Sequence, residues 1–249
     1  VMNASHVIKT PHLPKGKVTR ILIGERYRSR LEAPLKCRGI EVLWIPDNPD
    51  VDPRLGGHAD LSVIHMGDNL LVAERYTFVN LLTIEGLEIK LAAAAQGAEY
   101  PADSGLNGCI LDDALIHNPL YTDRAVLENL SGRKIITVNQ GYAKCAVCVI
   151  NERAIITSDA GICRAAAKFG IDALLISPGH IVLDGFDCGF IGGSTFKLSR
   201  HELAFTGRLH GHPDETAILN YLSEKAVSPV FLSERPIFDI GSAIPLFES

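Results

Sequence analysis

CAVCVINERAIITSD, residues 145–159, continuing as AGICRAAAKFGIDALLI to residue 176, decides how the chain is read. An apolar run from 145 is broken by the polar turn NER at 151–153, and a second apolar run follows. Two β-patterned runs around a short polar turn predict a hairpin. Ser158-Asp159 then opens an amphipathic alanine-rich stretch as a helix N-terminus, and Gly170 sits where that helix stops. DALLI closes the segment as a third strand. The predicted unit is strand, strand, helix, strand, about 40 residues long, within the range of known structural repeats.

The same plan recurs along the chain. HADLSVIHMGDNLLVAE (58–74) is two strands around GDN, continued by YTFVNLLTIEGLEI as a helix and a closing strand. LNGCILDDALIHN (106–118) turns at DD and leads into TDRAVLENLSGRKIITV, with Thr122-Asp123 as the helix start and Gly132 at its end. GGSTFKLSRHELAFTG (192–207) turns at SRHE and leads into HPDETAILNYLSEKAVSPVFL, opened by Pro213-Asp214. A fifth copy joins both ends of the chain. VTRILIG (18–24), a helix around SRLEAPLKCRG that contains Pro34, and IEVLWIP (40–46) lack a first strand, which IFDIGSAIPL (237–246) supplies. Pairing the last strand with the first module leaves few exposed sheet edges.

The expected fold is therefore α/β, a five-bladed α/β propeller of ββαβ modules closed by the C-terminal strand. One domain spans 1–249, with modules at about 18–46 plus 237–246, 58–100, 106–139, 144–178 and 188–233. Composition agrees with a packed globular chain: 249 residues, 47% of them hydrophobic, bury roughly three quarters of their unfolded surface without disulfide staples. The net charge of −5 is spread evenly, so no nucleic-acid or anionic-membrane partner is expected. No apolar stretch reaches the length of a membrane span. The start VMNASHVIKTPHLP lacks the apolar core of a signal peptide, and the six cysteines are read as reduced thiols of a cytoplasmic protein.

Five ββαβ modules closed by a C-terminal strand resemble the pentein fold of the guanidino-group-modifying enzymes. YP-x-D (100–103), NQGYAKC (139–145), GFIGG (189–193) and DIGSAIPL (239–246) are similar, more narrowly, to an uncharacterised bacterial family assigned to that fold. The resemblance implies a small-molecule pocket on the axis and chemistry on a guanidinium group. A Cys thiolate attacks the central carbon, carboxylates hold the cation, and a His serves as acid and base. The enzymes carry their nucleophile in the closing C-terminal strand, where this chain has FDIGSAIPLFES and no Cys.

Polar residues at the starts of the inner strands are expected to converge on the axial pocket. His58 and Asp60, two apart and read as sharing one strand face, are the candidate acid–base pair. Cys145 opens a module strand and is the candidate nucleophile in place of the missing cysteine, with Lys144 beside it expected to lower its pKa. Asp103, Asn107, Lys144, Ser194, Asp239 and Ser242 are candidate ligand-binding residues. Cys148, three residues on and pointing to the opposite face, is expected in the core. His65 is expected to be exposed before its turn, and His210-Gly-His212 is read as a loop pair. Cys145 and Cys148 lack the second Cys pair of a zinc site, so no metal or cofactor is expected. Gly192-Gly193 is read as a tight turn into a crowded interior rather than a phosphate cradle.

Two functions follow. One is binding, with hydrolysis or transfer at the C–N bond, of a cationic guanidino or amidino small molecule. The other is a non-catalytic pentein that binds a ligand or a protein. A homodimer is the base-rate expectation.

Overall fold

The computed structural model describes residues 5–76 and 84–249. Short β1 (His6–Val7) and β2 (Val18–Gly24) lead through α1 (Arg28–Lys36) to β3 (Glu41–Ile45). A single-turn α2 (Ala59–Ser62) precedes β4 (Val63–His65), β5 (Asn69–Val72) and β6 (Glu88–Leu91). The third module is β7 (Cys109–Ile110), β8 (Ala114–His117), α3 (Arg124–Glu128) and β9 (Lys134–Thr137). Another single turn, α4 (Ala143–Ala146), precedes β10 (Val147–Asn151), β11 (Ala154–Thr157), α5 (Ala160–Ala167) and β12 (Asp172–Leu175). A 3₁₀ turn at Gly192–Ser194 leads into β13 (Thr195–Ser199), β14 (Glu202–Phe205), α6 (Glu215–Glu224) and β15 (Ser228–Phe231), and β16 (Ile244–Glu248) ends the chain.

These strands form five separate sheets with one repeated topology. In four of them the first strand pairs antiparallel with the second, and the second pairs parallel with the third. The fifth joins the two ends: β16 runs antiparallel to β2, β2 parallel to β3, and β1 adds an outer strand beside β16. A hairpin suffices for an antiparallel pair, whereas a parallel pair needs a crossover. In four sheets the crossover is the helix read from sequence; the one expected between β5 and β6 falls on residues 77–83, outside the described residues.

The helix starts follow their N-cap chemistry. Asp159 accepts the backbone N–H groups of Gly161 and Ile162, and Asp123 accepts that of Ala125. Asp123 also accepts the N–H groups of Ala93 and Ala94, tying the third module to the second. Asp214 stands at the N-cap of α6, yet its side chain reaches across to the N–H of Ser177. Gly132 and Gly170 follow their helices with φ of 81° and 71°.

Burial falls from the first strand of a module to the third. β4, β7 and β16 are buried throughout, whereas β6, β9, β12 and β15 are part-exposed and open at their ends. First strands of neighbouring modules pack on one another, β10 on β13, β13 on β16 and β16 on β4. Apolar clusters fill the seams, one of them joining Ile244 and Leu246 to Val63, Ile64 and Ile110.

Several local expectations change. The C-terminal strand begins at Ile244, not Ile237, because residues 237–243 cross the ends of the first strands as an irregular segment. His58 and Asp60 lie not on a strand but at the start of α2, and Cys145 lies in α4 rather than at the head of β10. In both places the strand begins after one helical turn that aims its side chains at the module ends. His65 is buried at 1% exposure, its ring nitrogens 3.2 Å from the carbonyls of Pro245 and Gly67. His210 is exposed as expected, whereas His212 is packed against His180.

Candidate functional site

α2 and α4 bring together residues that lie far apart in the chain. Cys145 Sγ is 3.0 Å from Asp60 Oδ2 and donates to it. Asn107, just before β7, knits the two turns. Its Nδ2 lies 3.3 Å from the Asp60 carbonyl and 3.4 Å from Cys145 Sγ, and its Oδ1 accepts the backbone N–H groups of Lys144 and Cys145. His58, at the N-cap of α2, completes the cluster: one ligand atom each from His58, Asp60 and Cys145 fall within 4.8 Å of one another. All three are buried, and neither His58 Nε2 nor Asp60 Oδ1 has a hydrogen-bond partner. Buried polar atoms are nearly always paired, so two orphans in one cluster mark a place built for something other than stability.

The C-terminal segment holds His58 in position. Gly241 has φ of 64°, and a Cβ there would lie 2.2 Å from the Cβ of His58. The Gly241 carbonyl accepts the Asp60 N–H, so one glycine braces both residues. Asp239 next to it is clamped by the N–H groups of Phe190 and Gly241, and Gly193 leaves no room for a Cβ against its carboxylate. A Cβ on Gly192 would strike the carbonyls of Val147 and Lys144. The glycine pair thus serves close packing, in keeping with the tight-turn reading.

A cavity of about 250 Å³ opens beside the cluster, walled by His58, Cys145, Asp239, Tyr142 and Cys188 together with Leu55, Leu61, Leu183, Phe186 and Phe190. It is a largely apolar sleeve with a few polar groups, the usual design of a small-molecule site. Asp60, Asp103, Asn107, Lys144, Ser194 and Ser242 do not line it; Asp60 lies behind Cys145, whose S–H it accepts. Asp103 accepts the Tyr142 hydroxyl at 2.6 Å and so braces a wall residue. Ser194 donates to the Phe190 carbonyl. Lys144 turns its ammonium away, to Ser242 Oγ at 2.9 Å and the Gly192 carbonyl at 3.1 Å.

Electrostatics differ from the expectation for Cys145. Burial, then the charges of Asp60 and Asp239, push its thiol well above the ordinary value, rather than Lys144 drawing it down. Burial also raises Asp60 to about 7 against the opposing pull of Lys144, and it lowers His58. Cys148 is core, fully buried, its thiol raised to about 11 by desolvation.

Tyr142 and the apolar wall, Leu183, Phe186 and Phe190, went unread in the sequence. Tyr142 had a usable signal as the aromatic of GYAKC, three residues before the candidate cysteine. Gly-Gly before His58-Ala-Asp60 likewise signals a helix start, with Asp in the first turn.

A family model described as a family of unknown function, DUF6873, matches residues 22–244. The chain belongs to this family. No curated protein matches it. Solved structures match across nearly the whole chain. The inosamine-phosphate amidinotransferase of Streptomyces griseus aligns at 9% identity over 97% of both chains, with a TM-score of 0.54. Agmatine deiminase of C. jejuni with substrate bound aligns at 9% identity over 100% of this chain and 98% of its own, with a TM-score of 0.55. DDAH of Pseudomonas aeruginosa complexed with citrulline aligns at 7% identity over 87% and 92%, with a TM-score of 0.53. The DUF6873 chain thus has the mixed α/β fold of the pentein guanidino-modifying enzymes. Among the described residues no helix is long and apolar enough to cross a membrane.

Proposed function

We propose that this DUF6873 protein is one pentein domain, its five sheets standing as blades of an α/β propeller, that binds a small guanidino or amidino cation and acts on its C–N bond. The observation that supports this reading is the meeting of His58, Asp60 and Cys145 beside an apolar cavity that His58 and Cys145 line. Asp239 in the cavity wall, with Asp60 behind Cys145, supplies negative charge for the cation, and the apolar sleeve suits the substituent it carries. The solved relatives include agmatine deiminase with its substrate and DDAH with citrulline, which points to the same ligand class.

The roles follow from the contacts. Asp60 Oδ2 already accepts the S–H of Cys145, so it takes the thiol proton as sulfur adds to the central carbon. That proton leaves with the departing amine, relayed at His58 Nε2, and an S-linked thiouronium remains. Water then adds at carbon, giving one proton to His58 Nε2. Cleavage of the C–S bond releases a ureido product, and the second proton of that water passes to the sulfur. An amine in place of water makes the reaction a transfer. Bringing in the cation offsets the carboxylate charges that hold the thiol neutral, so reaction and binding are coupled.

The test is incubation with agmatine, arginine and simple alkylguanidines, following ammonia and the ureido product. Turnover is expected, and Cys145→Ser should lose it while still binding the ligand. Product formed by Cys145→Ser at the unaltered rate would overturn the reading. A second reading, ligand binding without chemistry, is favoured by the protonated, buried thiol and by Ser242, which lies fully buried on Lys144 instead of facing the cavity. Saturable binding by the unaltered protein with no product would establish it.

A further inference from the structure

We propose that His58, Asp60 and Cys145 form a zinc-binding site with its fourth coordination position facing the cavity. The three residues offer one imidazole nitrogen, one carboxylate oxygen and one sulfur, the donor types that suit Zn²⁺. Tetrahedral zinc, with Zn–S near 2.3 Å and Zn–N or Zn–O near 2.0–2.1 Å, places neighbouring donors about 3.5 Å apart. Here Sγ and Oδ2 stand 3.0 Å apart and the whole set falls within 4.8 Å, so side-chain adjustments of about an ångström complete the geometry.

Two further observations point to a ligand. His58 Nε2 and Asp60 Oδ1 are buried without any partner, although Cys145 Sγ and Asp60 Oδ2 beside them are hydrogen-bonded. The charge also balances: a thiolate and a carboxylate, costly to bury together, are neutralised by one dication. Asn107 Nδ2, 3.4 Å from Sγ, supports the thiolate from outside the coordination shell, and Gly241 fixes the imidazole from behind. Binding displaces the S–H proton to solvent, and the metal takes its place between sulfur and carboxylate. Because the metal occupies the sulfur, zinc and covalent chemistry at Cys145 exclude each other. The site stands whether or not the protein turns over a guanidino compound.

The experiment titrates the chelator-treated, reduced full chain with Zn²⁺ against a chromogenic chelator, and separately with Co²⁺ as a spectroscopic probe. Expected are one equivalent bound, release of protons, a sulfur-to-cobalt charge-transfer band, and protection of Cys145 from iodoacetamide by zinc. Cys145→Ala should abolish the band, and His58→Ala should weaken zinc binding by more than about 100-fold, since even supporting residues cost 10–100-fold. Cys188→Ala, a cavity cysteine outside the set, should keep the band. If Cys145→Ala does not fold, the Zn²⁺ protection measurement and His58→Ala carry the test. No stoichiometric zinc binding, a band that survives Cys145→Ala, or one lost only in Cys188→Ala would overturn the proposal.

Discussion

Replacing His65 with Gln should flatten the acid limb of the stability curve. The ring is held between the Pro245 and Gly67 carbonyls, joining β4 to β16, and burial lowers its pKa from 6.5 to about 4 despite both carbonyls favouring the cation. The folded state therefore resists protonation while the unfolded chain accepts it at the usual value. Stability from this residue is present above pH 6.5 and drains away as pH falls toward 4. The full loss is about 3 kcal/mol, and near pH 5.5 the slope approaches 1 kcal/mol per pH unit, roughly one proton of difference between the states. Asp60 works in the opposite sense. Its raised pKa means the folded state holds a proton more firmly, so its contribution grows as pH falls below about 7. The two must be separated by difference. Urea unfolding of the unaltered protein and His65→Gln, every half unit from pH 7.5 to 5, supplies it. Gln can still donate to one carbonyl, so the variant's absolute stability is not the readout. The expected result is a slope between pH 6 and 5 smaller by about 1 kcal/mol per unit. Equal slopes in both proteins would refute a buried neutral His65.

Two other substitutions probe the bracing of the cluster. Gly241→Ala forces a side chain into φ of 64° and against His58, and should cost at least about 2 kcal/mol in denaturant unfolding. A loss under 0.5 kcal/mol, the usual limit for neutral surface changes, would mean that this backbone relaxes freely. Asn107→Ala removes the acceptor for two buried N–H groups and should cost about 2–4 kcal/mol, whereas Asn107→Asp, which keeps that acceptor, should lose less; thermal unfolding followed by circular dichroism ranks the two. The reverse ranking would show that the amide donor matters more than the acceptor.

The repeat was legible because each module states its own punctuation: a polar turn, an Asp at the helix start, a Gly at its end. Such signals act within a few residues and survive in any tertiary setting. The segments 58–60, 107, 145 and 239–242 were legible as candidates because they recur at one place in the repeat. Their geometry was not. Sequence pattern alone places His58 and Cys145 on strands, since one helical turn of four residues leaves no periodicity to detect. The turn that follows His65 in sequence predicts exposure, whereas its neighbours in space are Pro245 and β16, 180 residues away.

Local propensity and period thus determined the five modules and the pairing of the two chain ends. Packing between modules decided the rest: which polar groups lost their water, which way Lys144 points, and that Cys145 meets Asp60 across 85 residues of chain. Desolvation and Coulomb energy depend on distance in space, and only the assembled modules set that distance.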